Sequence, residues 1–308
     1  MANYRVGLAL GGGAARGWSH IGVVEALLDA GIEPVAIAGT SMGALVGGAH
    51  AAGRLDALKA WATAVDRRMI MSLVDVSLAT GGVIEGQRIQ RLLRDLGIDQ
   101  PIEGLPTAFA AVATDLADGR EIWLQSGPAD AAIRASISMP GIFSPMLLDG
   151  KWLVDGGLVN QVPVSTCRAL GADFVIAVHV GQGLLGRRRE KLRAGLGEDE
   201  EAARTLRISQ MLEQIPAALR DPAGRFLPYL VKGGPHAPGY FDVLVNSLNI
   251  MQEKITRSRL AGEPPHVLIA PEVAAINLMD FDRAGEAIAA GRAAVEASLD
   301  AITDMLSR

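Results

Sequence analysis

The chain has 308 residues, of which 49% are hydrophobic and 20% charged, with 36 glycines and a formal net charge of −5. This is globular composition with enough apolar residues for a sizeable core, which excludes general disorder, and the negative balance excludes a general attraction to nucleic acid or anionic lipid. A single cysteine, Cys167, excludes an intrachain disulfide and fits a reducing compartment, so a cytoplasmic location is expected.

Met1 to Arg5 leads into an apolar stretch too short for a secretory signal or a membrane span. That stretch, Val6 to Leu10, is apolar without alternation, as in a strand buried on both faces, and Gly11-Gly12-Gly13 ends it. Ile21, Val24, Leu27 and Leu28 then recur at helical spacing, which predicts a helix over Ala15 to Ala30 with Gly31 as its stop. A second strand, Val35 to Ala38, runs into Gly39-Thr40-Ser41-Met42-Gly43, and Ala44 to Ala52 reads as a small-residue helix closed by Gly53. Strand, tight turn and helix have now occurred twice, the rhythm of parallel strands with crossover helices in a doubly wound α/β fold.

Downstream, helices are predicted over Gln87 to Leu96 and Ala129 to Ser138, the latter stopped by Pro140. Strands are predicted over Thr107 to Thr114, Glu121 to Leu124, Trp152 to Asp155, Phe174 to Val180 and Val267 to Ala270. Residues 184 to 262 are the least sheet-like: a basic run from Arg187 to Arg193, an acidic patch from Glu198 to Glu201, and a Pro-Gly-rich stretch from Leu227 to Gly239. They read as a largely helical insertion or lid. Phe281 to Leu306 reads as an amphipathic helix that packs on the sheet.

Gly39 to Gly43 is a G-x-S-x-G between an apolar strand and a helix. In a nucleophile elbow the serine sits on a strained strand-to-helix turn, and the glycines on either side leave room for the reversal. The hydroxyl of Ser41 then lies at the positive end of a helix dipole, where developing negative charge is favoured. Serine is also a good helix N-cap, so the pentapeptide alone supports both readings. Gly11-Gly12-Gly13-Ala14-Ala15-Arg16-Gly17 follows the first strand and offers backbone N–H groups at a helix N-terminus. A dinucleotide would require an acidic residue near the end of the second strand, where the chain has Thr40 and Ser41. The oxyanion of an acyl-transfer intermediate beside Ser41 fits the loop better.

A serine hydroxyl needs a proton acceptor. His20 and His50 fall in predicted helices and read as structural, and His236 lies in the insertion. His179, at the end of an apolar strand, gives the order Ser41, Asp155, His179. Asp155-Gly156-Gly157 puts a carboxylate at a strand end in a tight turn, a place aspartate also takes for turn formation alone. Spacing therefore leaves two schemes open, direct proton transfer to Asp155 and an Asp155–His179 relay.

The strand and glycine loop with Arg16-Gly17, the Gly39-Thr40-Ser41-Met42-Gly43 elbow and Asp155-Gly156-Gly157, in that order, resemble the patatin-like phospholipases. Thr114-Asp115-Leu116, the run from Ser138 to Pro145 and that from Gly171 to Val178 extend the likeness. It is strong over residues 5 to 182, looser over 240 to 295, and nearest to the bacterial branch related to neuropathy target esterase. The resemblance implies a three-layer α/β/α fold with a mostly parallel sheet, a single domain over 1–308 carrying the insertion at 184–262. It implies a Ser41–Asp155 dyad without a catalytic histidine, acting on lipid acyl esters as a phospholipase A or lysophospholipase does, with no metal or organic cofactor. Gly12, Gly13 and the N–H of Ala14 would form the oxyanion hole and Arg16 would hold the loop. Ala14 departs from the family, which often has a third glycine there, and Gln161 after the Asp-Gly-Gly turn is a second departure with no mechanism attached. A rival reading is a non-catalytic regulator bound to a membrane surface through the basic run of the insertion. Nucleic acid is not an expected partner, and peripheral membrane contact is the expected setting of a lipid substrate.

Overall fold

The apolar runs form the middle of a mixed sheet in the computed structural model, which describes residues 4–75, 84–181 and 240–308. The chain divides into two compact units, Met1–Gln182 with Gln252–Arg308, and Gly183–Met251. Of the second unit only residues 240–251 are described, all helical. The basic run at Arg187 to Arg193, the acidic patch at Glu198 to Glu201 and the stretch from Leu227 to Gly239 lie outside the described residues.

The strands are β1 (Val6–Leu10), β2 (Ala36–Thr40), β3 (Ala108–Asp115), β4 (Glu121–Leu124), β5 (Met146–Leu148), β6 (Lys151–Asp155), β7 (Phe174–Val178) and β8 (Val267–Ile269). The path of hydrogen-bonded neighbours is β5-β6-β3-β2-β1-β7-β8, with β4 also paired to β3; β2 and β6 take successive parts of one edge of β3 and β4 the other. The run β3-β2-β1-β7-β8 is parallel, while β4 and β6 each lie antiparallel to β3 and β5 lies antiparallel to β6. Alternate residues of the central strands feed two cores. Leu8, Leu10, Ile37, Ile176 and Val178 join the larger one, and Ala9, Ala36, Ala38, Val175 and Ala177 join the smaller with Val162, Val164 and Cys167. Helix α1 (Ser19–Asp29) and helix α2 (Met42–Ala51) contribute to the larger core, and the short α7 (Val164–Ala169) lies against β1, β2 and β7 on the other face. Alanine on that face lets α7 approach closely. The arrangement is the expected three-layer α/β/α.

Several boundaries differ from the periodicity. The first helix begins as a 3-10 turn, Ala14–Trp18, before α1. Strand β2 runs on to Thr40, because the elbow itself ends it, and α2 then starts at Met42 rather than Ala44. Helix α3 (Leu55–Ala64), α4 (Arg67–Ser72), α7 and β5 add to the expected elements, alongside the foreseen α5 (Gln87–Asp95) and α6 (Ala129–Ser136). Helix α8 (Tyr240–Gly262) is the described part of the expected insertion. The predicted C-terminal helix is three pieces: a 3-10 turn at Phe281–Arg283, α9 (Ala284–Glu296) and α10 (Leu299–Ser307). Helix α9 packs chiefly on α1 rather than on the sheet. The reason is glycine at both crossing points: a Cβ at Gly22 would meet the Ile288 carbonyl, and one at Gly291 would meet the Ser19 carbonyl. Among the described residues no helix is long and apolar enough to cross a membrane.

Candidate active site

Register on β3 brings Ser41 and Asp155 together. Strand β2 pairs with β3 up to Thr40 opposite Val112, and β6 pairs with β3 from Asp155 opposite Ala113 onward. Strand β4 fills the other edge of β3 over Ala111 to Thr114, so β2 and β6 must share one edge and meet there end to end. Ser41 follows Thr40 directly, which sets the serine and the aspartate at the junction.

Ser41 has φ 54° and ψ −120°, a strained conformation that turns the chain out of β2 into α2. Glycine is required on both sides: a Cβ at Gly39 would lie 2.5 Å from the Ala44 nitrogen, and one at Gly43 would collide with the Leu10 carbonyl. At Gly17 a Cβ would collide with Met42, so the glycine loop can lie against the start of α2. The Ser41 N–H donates to Ser136 Oγ at 2.8 Å, and that hydroxyl donates onward to the Val112 carbonyl at 2.6 Å. Ser136, fully buried at the end of α6, is a positioning residue that the sequence reading passed over. It lies just before the Ser138 to Pro145 run, and proximity to that run was the only signal pointing to it.

Asp155 is 1% exposed and Ser41 8%. Asp155 Oδ1 accepts the Gly157 N–H at 2.7 Å, its own N–H donates to the Ser138 carbonyl at 2.9 Å, and its carbonyl accepts from Thr114 Oγ1 at 2.9 Å. Burial is the largest influence on the carboxyl and pushes its pKa up to about 6, while the Ser41 hydroxyl and the Gly157 N–H pull it down. Among the described residues Oδ2 is buried without a partner in good hydrogen-bond geometry, while the Ser41 hydroxyl is near enough to pull the carboxyl pKa down. Gly156 is held tightly here, since a Cβ would meet the Val112 carbonyl.

In the glycine loop, Gly11 N–H donates to Val178 O at 3.0 Å and Gly12 N–H to Gln161 O at 3.1 Å, so Gly12 has no free donor. Among the described residues the N–H groups of Gly13 and Ala14 have no acceptor. Ala14 takes φ 49°, in the left-handed region that favours glycine. Arg16 Nε donates to the Ile276 carbonyl at 2.8 Å and the Ala15 N–H to Leu278 O at 3.1 Å, tying the loop to the chain before α9. His20 is fully buried, with its pKa lowered by burial to about 4, and Nε2 donates to the Gly11 carbonyl at 2.7 Å. It is a neutral brace for the loop.

His179 pairs elsewhere. Its Nε2 lies 3.3 Å from Glu253 Oε2 on α8, and Glu253 also accepts from Arg257 Nε at 2.7 Å. Histidine is absent from the groups that set the Asp155 pKa, which are burial, Ser41 and Gly157. Among the described residues no three His, Cys, Asp or Glu side chains converge as a cation site.

Comparison with known proteins shows the family. Residues 8–168 match the family described as patatin-like phospholipase. An uncharacterized NTE family protein of Mycobacterium tuberculosis is 37% identical over 332 residues, covering 96% of this chain and 92% of the relative. A lysophospholipase of Emericella nidulans is 34% identical over 191 residues, covering 57% of this chain and 12% of that protein. The crystal structure of VipD from Legionella pneumophila aligns with a TM-score of 0.45 and 14% identity, over 97% of this chain and 67% of that one. The family match spans more than half of the chain and contains the elbow, the glycine loop and the Asp-Gly-Gly turn; the chain belongs to the patatin-like phospholipase family and is a lipid ester hydrolase.

Proposed function

We propose that the chain hydrolyses acyl esters of phospholipids or lysophospholipids with Ser41 as nucleophile and Asp155 as its direct base. Ser41 Oγ attacks the acyl carbonyl carbon while Asp155 accepts the hydroxyl proton. The N–H groups of Gly13 and Ala14 hold the oxyanion, with the N-terminus of α2 adding its dipole. Collapse of the tetrahedral intermediate breaks the ester C–O bond, and the leaving alcohol takes the proton from Asp155. Water then attacks the acyl-enzyme, Asp155 again accepts a proton, and the fatty acid departs as Ser41 is restored.

What supports the reading most is the end-to-end meeting of β2 and β6 on β3, beside a buried carboxyl with a pKa of about 6. An ordinary aspartate, near about 3.9, is a weaker base at neutral pH. The substrate class is supported by the family description and by the fungal relative named a lysophospholipase. Purified Ser41→Ala and Asp155→Asn are expected to lose hydrolysis of p-nitrophenyl acyl esters by about 10³-fold or more with the fold intact. Full turnover in either variant removes that residue from the chemistry. His179→Ala is expected to stay within about threefold of the wild type; a loss as deep as that of Asp155→Asn would establish the relay instead.

A further inference from the structure

Every peptide of the glycine loop has at least one identifiable anchor. The Gly11 carbonyl accepts from His20, the Gly13 carbonyl accepts the Arg16 N–H at 3.3 Å, and the Ala15 N–H reaches Leu278 O at 3.1 Å. The peptide joining Gly12 to Gly13 is anchored by a side chain alone: Gln161 Nε2 donates to the Gly12 carbonyl at 2.9 Å. The backbone carbonyl of the same glutamine accepts the Gly12 N–H at 3.1 Å, so one residue takes both polar groups of Gly12. Glycine on both sides leaves this peptide without side-chain resistance to rotation, and the Gly11–Gly12 peptide, which shares that composition, has two anchors where this one has a single side chain. In a planar trans peptide the C=O and N–H point in opposite directions, so a carbonyl held on Gln161 turns the Gly13 N–H away from it.

We infer that Gln161 is a positioning residue whose amide fixes the Gly12–Gly13 peptide so that the Gly13 N–H is presented to the oxyanion. The inference rests on Ser41 being the nucleophile and on the loop holding the oxyanion. The orientation of the amide is set by chemistry, since the Gly12 carbonyl can only accept. Its other end, Oε1, is buried without a partner among the described residues and occupies the space that a side chain at Gly157 would need. Gln161 therefore gives up one of its own hydrogen bonds to hold Gly12, and the second glycine of the Asp155-Gly156-Gly157 turn makes room for it.

The test compares Gln161→Met, which keeps length and loses the donor, with Gln161→Glu, which keeps the shape and repels the Gly12 carbonyl. On the full chain, kcat and KM for a short-chain p-nitrophenyl ester, the inhibition constant of an alkyl trifluoromethyl ketone and the melting temperature are measured. The expected result is a fall in kcat of about 10²-fold, the scale of one lost oxyanion donor, with KM and the melting temperature close to wild type. Affinity for the ketone, which forms a tetrahedral oxyanion on serine, is expected to weaken by the same factor as kcat/KM. Should the buried charge of Gln161→Glu prevent folding, Gln161→Met decides. Wild-type kcat in Gln161→Met, or a loss confined to KM with ketone affinity unchanged, overturns the inference. Ser41→Ala separates the two levels: if it is inactive while Gln161→Met turns over normally, only the clasp is wrong, and if Ser41→Ala is active the reading of the site fails with it.

Discussion

Burial raises the proton affinity of Asp155, which suits the base role proposed for it, and the same burial carries a cost in stability. Its pKa in the folded protein, about 6, lies above the ordinary 3.8, so between those pH values the folded state binds more protons than the unfolded chain. Stability from this group therefore falls as pH rises through that window and stays reduced above it. At ~1.4 kcal/mol per pKa unit the reduction is about 3 kcal/mol at neutral pH. Asp155→Asn is expected to be inactive yet more resistant to urea than wild type at pH 8, with the difference vanishing by about pH 4. Equal urea midpoints for the two proteins at every pH would contradict the burial argument. Ser136 acts on the other member of the pair. Ser136→Ala leaves the Ser41 N–H and the Val112 carbonyl unpaired in a buried place, and a loss of about 1–3 kcal/mol in urea unfolding, together with reduced kcat, is expected. Ser41, Asp155 and the glycines around them were legible as sequence because close backbone approach leaves a pattern in glycine. Ser136 and Gln161 were not legible in this way: each acts through side-chain hydrogen bonds to backbone groups, and nothing in a serine or glutamine letter reports its partners.

Strand β3 explains why two residues far apart in the chain become neighbours. Its apolar run identified it as a strand, but periodicity carries no register, so the division of one edge between β2 and β6 could only be seen once paired. The elbow misled the boundaries for the same reason that it marks the site: the chain stays extended to Thr40 and turns helical at Met42, which a reading of apolar residues alone ends too early. Helix α9 offers an independent test of packing. Gly22 and Gly291 bring the α1 and α9 backbones together, and an added methyl would land on a carbonyl oxygen in each case. Gly22→Ala and Gly291→Ala are each expected to lower stability by about 1–3 kcal/mol, against the small gain that alanine brings to a helix interior, as read by urea unfolding. Stabilisation by both substitutions would show that the helices are not in backbone contact. The expected single C-terminal helix placed on the sheet had the right amphipathic character, but neither the break at residues 297–298 nor the glycine contact leaves a periodic signal.

For the whole molecule, the repeated strand-turn-helix rhythm was enough for a doubly wound α/β fold, because buried parallel strands are continuous apolar runs and the turns between them are glycine-rich, while the three layers came from the resemblance to the patatin-like phospholipases. The short β5, with only three residues and partial exposure, and the short α7 fall below the length at which a period is visible. The fold joins distant segments at the proposed site: the loop after β1, the turn after β2 and the turn after β6 meet at one end of the parallel strands, braced by residues from α6 and from the chain before α9. The measurement that tests this account most directly is the rate of fluorophosphonate labelling as a function of pH, with the modified peptide mapped. The account predicts label on Ser41 alone, a rate that falls as pH drops through about 6, and no labelling of Ser41 in Asp155→Asn. Label on another residue, or labelling of Ser41 at an undiminished rate in Asp155→Asn, would contradict it.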